Sequence, residues 1–509
     1  MATNHYSQDH DKDFAATVRS TLLVGGGSGI TMVIGIVRTK FVASLIGPSG
    51  VALFTLFNQL AEMVGAVTSF GLGTSGVRQI AVAHASEHRE KLARTVKTLR
   101  RTTWCTGILG LVLMVVGARL AALATFGDAA KALPIALMGV MVLLRSLTTG
   151  RTCIVQGTRR IKDLVLLNVA GAIGALAASV PCVYVWGMEG IVPGLVLGSA
   201  ASLAVAWWFS RRIPMARLDH SWDHTRSEAR ELLRFGFPIM LMGLVGTVTP
   251  YLERVILLRT IGLESLGFYQ AAYALTGALT TFVIGAMTAD CYPKLVGHAE
   301  DPERLAKELN TQIEASLLMA MPGVLWLFAL ASLAVIALYS PEFTPAVAVL
   351  RITLLGVIGR LLGWPLRLAF MAKGMGRTVL LFELGSGAVG LGMITWVTPI
   401  LGAPGAGWAF TLVNLLLPIA QLGILRRVAG VGVSPANLAR AGWGLLALGA
   451  LAANETFTSV AGVRWVIALF ITVTGTFVCA RTLSQRTGWG FRRLLDRVRV
   501  SLSSGPSPL

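Results

Sequence analysis

Stretches of about 20 apolar residues, each long enough to cross ~30 Å of hydrocarbon as a helix, recur from Thr21 to Arg481. A soluble chain of 509 residues would need several domains with polar surfaces. Here charged residues make up only 14% and hydrophobic ones 54%, against about 25% charged in soluble domains. The sequence therefore predicts an all-α integral membrane protein. Spans are expected near 21–46, 51–72, 102–124, 132–155, 163–186, 190–209, 234–259, 266–289, 312–339, 346–371, 378–400, 404–425, 436–453 and 461–482.

The sign of the connecting segments sets the orientation. Arg78, Arg89, Lys91, Arg94, Lys97, Arg100 and Arg101 follow the second span, Arg159, Arg160 and Lys162 the fourth, and Arg211 to Arg234 the sixth. The alternate turns, GPSG at 47–50, GMEG at 187–190 and LGAPGAG at 401–407, are nearly bare of charge. Roughly thirty Lys and Arg fall on one side and about four on the other, so both termini are expected in the cytoplasm, with a bacterial inner membrane as host. The net charge of +19 is thus membrane topology. Nucleic-acid binding would need a basic, aromatic-interleaved domain outside the spans, and there is none.

Two halves echo each other. Ile46-Gly47-Pro48-Ser49-Gly50-Val51 aligns with Ile261-Gly262-Leu263-Glu264-Ser265-Leu266, and Gln156-Gly157-Thr158-Arg159-Arg160 with Lys373-Gly374-Met375-Gly376-Arg377. The offset is nearly constant, which points to an internal repeat. The expected organisation is a cytoplasmic tail at 1–20, an N-lobe at 21–209, a basic linker at 210–233 and a C-lobe at 234–425. Two extra spans at 426–482 and a basic tail at 483–509 complete it. Six spans per lobe make a parallel repeat, for which a substrate site between the lobes is expected.

Ionisable residues inside spans are the informative ones: Arg38, Lys40, Arg145, Arg151, Arg254, Arg360 and Arg367, with Glu62, Glu253, Glu383 and Asp290. Seven cations facing lipid would cost ~20 kcal/mol at ~2.5–3.5 kcal/mol each, so they must face water or one another. Helical spacing puts Arg145, Thr148, Thr149 and Thr152 on one stripe, as it does Ser28, Thr31, Gly35 and Arg38, then Asn58, Glu62, Gly65 and Ser69, and Arg360, Gly363 and Arg367. One polar stripe per helix describes a hydrophilic cavity. Structural ion pairs are the alternative, above all for Arg254 beside Glu253 and for Arg38 against a carboxylate of the other lobe. For Arg145, Arg360 and Arg367 no acid is near in sequence, and a cationic excess calls for an anionic ligand.

Other signals carry little. Gly25-Gly26-Gly27-Ser28-Gly29 lacks the ending of a phosphate loop and lies in a span. The five cysteines have no metal or disulfide spacing. His5 and His10 fall in the polar tail, and the Asn454-Glu455-Thr456 sequon reads as coincidental. No zinc motif, serine elbow or outer-loop carboxylate pair is present, so a transporter without cofactor is expected rather than an enzyme.

The segment RTKFVASLIGPSGVALFTLFNQLAEMVGAVTSFGLGTSGVRQIA, from Arg38 to Ala81, and the charged run after it resemble the opening of O-antigen translocases of the Wzx type. These belong to the polysaccharide-transport branch of the multidrug/oligosaccharidyl-lipid/polysaccharide exporter superfamily. Beyond that segment the resemblance rests on architecture, and the last two spans depart from the usual twelve. The resemblance implies a flippase for undecaprenyl-pyrophosphate-linked oligosaccharide working by alternating access. For such a substrate the intramembrane cations Arg145, Arg360 and Arg367, and with them Arg38, Lys40, Arg151 and Arg254, are expected to hold the pyrophosphate and sugars. Glu62, Glu253, Asp290 and Glu383 are candidates for ion coupling, with salt bridging as the alternative for the acids. Membrane lipids and the polysaccharide polymerase or chain-length machinery are the implied partners. A lipid II flippase and a cation-coupled multidrug extruder share the fold, although a drug extruder should have an acidic or aromatic cavity.

Overall fold

The computed structural model describes residues 3–86, 89–213, 222–458 and 460–487. Part of the linker, 214–221, and most of the basic tail, 488–509, lie outside them, as do the side chains of His5, His10 and Asp290. Every regular element among the described residues is helical: α1 (Thr3–Ser69), α2 (Leu72–Ala85), α3 (Arg89–Phe126), α4 (Ala132–Gly157), α5 (Ile161–Trp186), α6 (Ile191–Arg211), α7 (Trp222–Gly297), α8 (Pro302–Ala329), α9 (Ala331–Leu338), α10 (Ala346–Ala372), α11 (Gly376–Leu401), α12 (Ala403–Ala429), α13 (Pro435–Phe457) and α14 (Ala461–Thr487). The expected spans fall on helical segments, although the one at 312–339 is divided between α8 and α9 at Leu330 and the one at 51–72 crosses the break between α1 and α2. The polar N-terminus, expected as a tail, is helical from Thr3 and runs into the first span.

Two of these helices are pairs of spans joined by a single kinked glycine. α1 breaks at Gly47 (φ 62°, ψ −168°) and α7 at Gly262 (φ 81°, ψ 175°). That region is open to glycine alone, because a Cβ would meet the flanking peptide. The turns after α5 and α11 use Gly187 (φ 54°, ψ −129°) and Gly402 (φ 64°, ψ −146°). Both pairs stand 215 residues apart, the offset of the sequence repeat, so the echo extends to backbone torsion.

The chain packs as two compact units. The first comprises residues 1–270 and 337–343, the second 271–336 and 344–509. The division falls after Gln270, whereas the sequence repeat would place it in the linker, because the first half of α7 packs with the first unit. Large apolar side chains are exposed along the helices, Val116 and Leu120 of α3 at 74% each. In water such faces would demand a partner; on helices of this length and apolarity they face lipid.

Lipid tails are as apolar as leucine, so helices in a membrane are held by close packing and hydrogen bonds. In the first unit, Gly110 of α3 faces Val142 of α4 and Thr68 of α1, and Gly150 of α4 faces Thr103 of α3. α2 was not expected. It buries Leu72, Ser75, Gly76, Ile80 and Ala83 at helical spacing, in a segment whose Arg78 reads as basic loop. Phe70 and Gly71, both at positive φ, separate it from α1.

In the second unit α10 is the most enclosed helix. Gly356 and Gly359 meet α12 at Thr411 and Asn414, and Ser316 Oγ of α8 donates to Leu361 O at 3.2 Å. The two extra spans dock on the same group. Glu314 of α8 pairs with Arg440 of α13 at 2.8 Å and Arg486 of α14 at 3.1 Å. Arg351 of α10 pairs with Glu455 of α13, and Trp326 Nε1 donates to Thr476 Oγ1 at 3.1 Å. Asn454 of the sequon is buried, its Nδ2 donating to Arg464 O at 2.9 Å.

Candidate functional site

The first unit holds a half-open cavity of about 730 Å³ walled by α1, α4, α5 and α6. Two of the stripes expected from the sequence meet there. Ser28, Thr31 and Arg38 come from α1, and Arg145, Thr148, Thr149 and Thr152 from α4. The helices behind them supply Asn168, Ser199 and Ser202. α5 and α6 approach closely through small residues four apart, Gly171 and Ala175 on one, Gly194 and Gly198 on the other; Gly198 faces Ala175.

Hydroxyl chemistry sets what this wall offers. Thr31, Thr148, Thr149 and Thr152 each donate to the carbonyl four residues back, at 2.8–3.0 Å. Their protons are committed, so their oxygens remain as acceptors, suited to the O–H groups of a polyol. The charged donors are Arg38 and Arg145. Arg38 lies 5.2 Å from the centre of the Phe54 ring. Arg145 Nη2 donates to Asn58 Oδ1 at 2.8 Å, and its Nη1 is 3.4 Å from Glu62 Oε1, which also accepts from Asn58 Nδ2 at 2.8 Å.

Arg145 therefore has a carboxylate partner that its own sequence neighbourhood did not reveal. The pair is loose and wet, with side chains 38% and 47% exposed, and such pairs contribute less than ~1 kcal/mol. An incoming phosphate carries more charge than Glu62 and matches the guanidinium fork, so it can displace the carboxylate. Arg367 of the second unit behaves alike. It pairs with Glu383 of α11 at 2.7 Å, each side chain 40% exposed. Arg360 is half-buried on α10 without an ion pair among the described residues, while Gly363 between them faces Pro418 and Gln421 of α12.

The remaining candidates are not brought to the cavity. Arg151 sits on another face of α4, in a pocket shared with Arg100. Lys40 is exposed and donates to Ala337 O. Arg254, 2% exposed, is consumed by structure: Nε donates to Gln270 Oε1 at 2.8 Å and Nη1 to Pro250 O at 2.7 Å. Glu253 is half-buried. No three metal-ligating side chains cluster among the described residues.

A family model described as polysaccharide biosynthesis protein matches residues 17–296, more than half of the chain. The chain belongs to this family. Among relatives, the lipid III flippase of Escherichia coli (strain K12) is 22% identical over 385 residues, covering 74% of this chain and 90% of the relative. A relative of the same name from Shigella flexneri matches equally. Among solved structures, the lipid II flippase MurJ in an inward closed conformation superposes with a TM-score of 0.70 at 10% identity, covering 92% of this chain and all of that one. An inward-facing multidrug resistance MATE family transporter of the MOP superfamily gives 0.65 at 15% identity, over 84% and 96%. These neighbours share the fold of this multi-pass helical membrane protein.

Proposed function

We propose that the protein is a flippase that carries an undecaprenyl-pyrophosphate-linked oligosaccharide, such as an O-antigen repeat unit, across the bacterial inner membrane. The observation that carries this reading is the cavity in the first unit, where Arg38 and Arg145 stand among hydroxyl acceptors within apolar helices. A pyrophosphate and several sugars cannot enter hydrocarbon unaided, since each unpaired polar group costs several kcal/mol. Arginines hold the pyrophosphate and the threonine and serine oxygens accept from the sugar, while the polyprenyl tail stays in lipid. Exposing the cavity to one membrane face and then the other completes transfer.

Family membership and relatives named for lipid III and lipid II flipping support the class of substrate. In this reading Arg38 and Arg145 bind first, and Arg360 and Arg367 serve from the second repeat. Glu62 and Glu383, each paired to one of those arginines, are better placed for ion coupling than Glu253. Both termini face the cytoplasm, and the polysaccharide polymerase or chain-length machinery receives the product.

The test is made in cells lacking the gene, by extracting lipid-linked sugars and determining the leaflet on which they accumulate. Build-up of undecaprenyl-pyrophosphate oligosaccharide on the cytoplasmic leaflet, relieved by the wild-type gene but not by Arg145→Ala, is expected. Changed drug sensitivity without any build-up would overturn the reading in favour of an extruder.

A further inference from the structure

A second concavity in the first unit lies outside the cavity. It measures about 490 Å³ and is formed by α3, α4 and α6, with Arg100, Arg151, Trp104 and Trp207 around leucines. Arg151 follows Arg145 by six positions, an angular separation of roughly 120° about α4, so the two arginines lie on different faces of the helix. Nothing in the transport reading uses this second pair.

Its chemistry is specific. Arg100 and Arg151 line the same pocket, and Arg100 Nε is buried without a hydrogen-bond partner. Neither arginine has an ion pair among the described residues. Two half-buried like charges beside apolar walls are costly unless an anion lies between them. Trp104 and Trp207 are 49% and 44% exposed, so the pocket opens sideways, toward lipid. The Arg211 guanidinium lies 5.1 Å from the Trp207 ring. The pocket lies along the C-terminal halves of α4 and α6 and beside α3 from Arg100 to Trp104, with Arg100 and Arg151 toward the ends that lead to the basic loops, where tryptophan and arginine meet headgroups.

We infer that this pocket binds one anionic phospholipid of the leaflet facing the basic loops, its phosphodiester held by Arg100 and Arg151 and its acyl chains laid against Leu144, Leu147 and Leu203. A free phosphate would leave those leucines uncovered, and a phospholipid satisfies both parts. The inference stands apart from the proposed substrate, because the residues involved do not line the transport cavity.

The test is native mass spectrometry of the purified full-length protein titrated with phosphatidylglycerol or with phosphatidylcholine of the same chains. Two basic residues at an anionic headgroup together amount to about 30-fold in affinity. The R100Q/R151Q protein is expected to lose that much affinity for phosphatidylglycerol and none for phosphatidylcholine. R100K/R151K should keep most of the binding, and R145Q all of it. The single variants, expected to lose about fivefold each, serve if the double one does not fold. Equal phosphatidylglycerol affinity in wild type and R100Q/R151Q overturns the site, as does a comparable loss in R145Q. Displacement of phosphatidylglycerol by undecaprenyl pyrophosphate at equal or lower concentration would also overturn it, making the pocket a site for polyprenyl lipids.

Discussion

Replacing Arg145 by alanine removes a guanidinium fork from the cavity and leaves Glu62 behind with only Asn58 as partner. Two charge-assisted hydrogen bonds to a pyrophosphate, taken at the low end because the site is wet, contribute ~3 kcal/mol. The orphaned carboxylate then faces the substrate's charge at a cost of about 1 kcal/mol in a water-filled space. The sum, ~4 kcal/mol, is a loss of about a thousandfold in substrate affinity. Stability should barely change, since the Arg145–Glu62 pair is 38% and 47% exposed and contributes less than ~1 kcal/mol. The assay is binding and transfer of a labelled undecaprenyl-pyrophosphate oligosaccharide in proteoliposomes, with membrane abundance measured alongside. R145A with Glu62→Gln should recover about fivefold over R145A, because the repulsive charge is gone. R145A at more than half of wild-type activity would refute the reasoning, and so would no recovery in the double variant.

Three further outcomes follow from the packing. Arg351→Ala strands Glu455, which is only 27% exposed, and should lower stability by about 1–3 kcal/mol, read as a fall in thermal midpoint in detergent. Glu314→Gln releases Arg440 and Arg486 together, so amide exchange should rise in α13 and α14 and stay unchanged in α3 to α6. Gly47→Ala and Gly262→Ala each impose about 1–3 kcal/mol of backbone strain and should lower membrane yield. Gly65→Ala, helical and with open space at its Cβ, should not; equal yields for all three would refute the strain.

Much of this was legible because a helix repeats every 3.6 residues. The period placed Thr31 and Arg38 on one face of α1, and Thr148, Thr149 and Thr152 with Arg145 on one face of α4, and these faces share a cavity. The same period separates Arg151 from Arg145, and counting intramembrane charges without that angle merges two different sites. Counterions were not legible, because Glu62 reaches Arg145 from 83 positions away and Glu383 reaches Arg367 from a neighbouring helix. Hydropathy reports that a helix spans, not what it packs against. α2 escaped for a related reason: its small buried face is amphipathic, and its onset depends on the positive φ of Phe70, which composition does not announce.

The turn at Gly47 carries a consequence about handedness. Its torsions, φ 62° and ψ −168°, are the mirror image of the polyproline conformation, so what the position demands is opposite chirality rather than absence of a side chain. D-Alanine built into position 47 by semisynthesis would rest in its own preferred well. It would also narrow the turn's freedom in the unfolded chain, making this hairpin tighter than the one encoded by glycine.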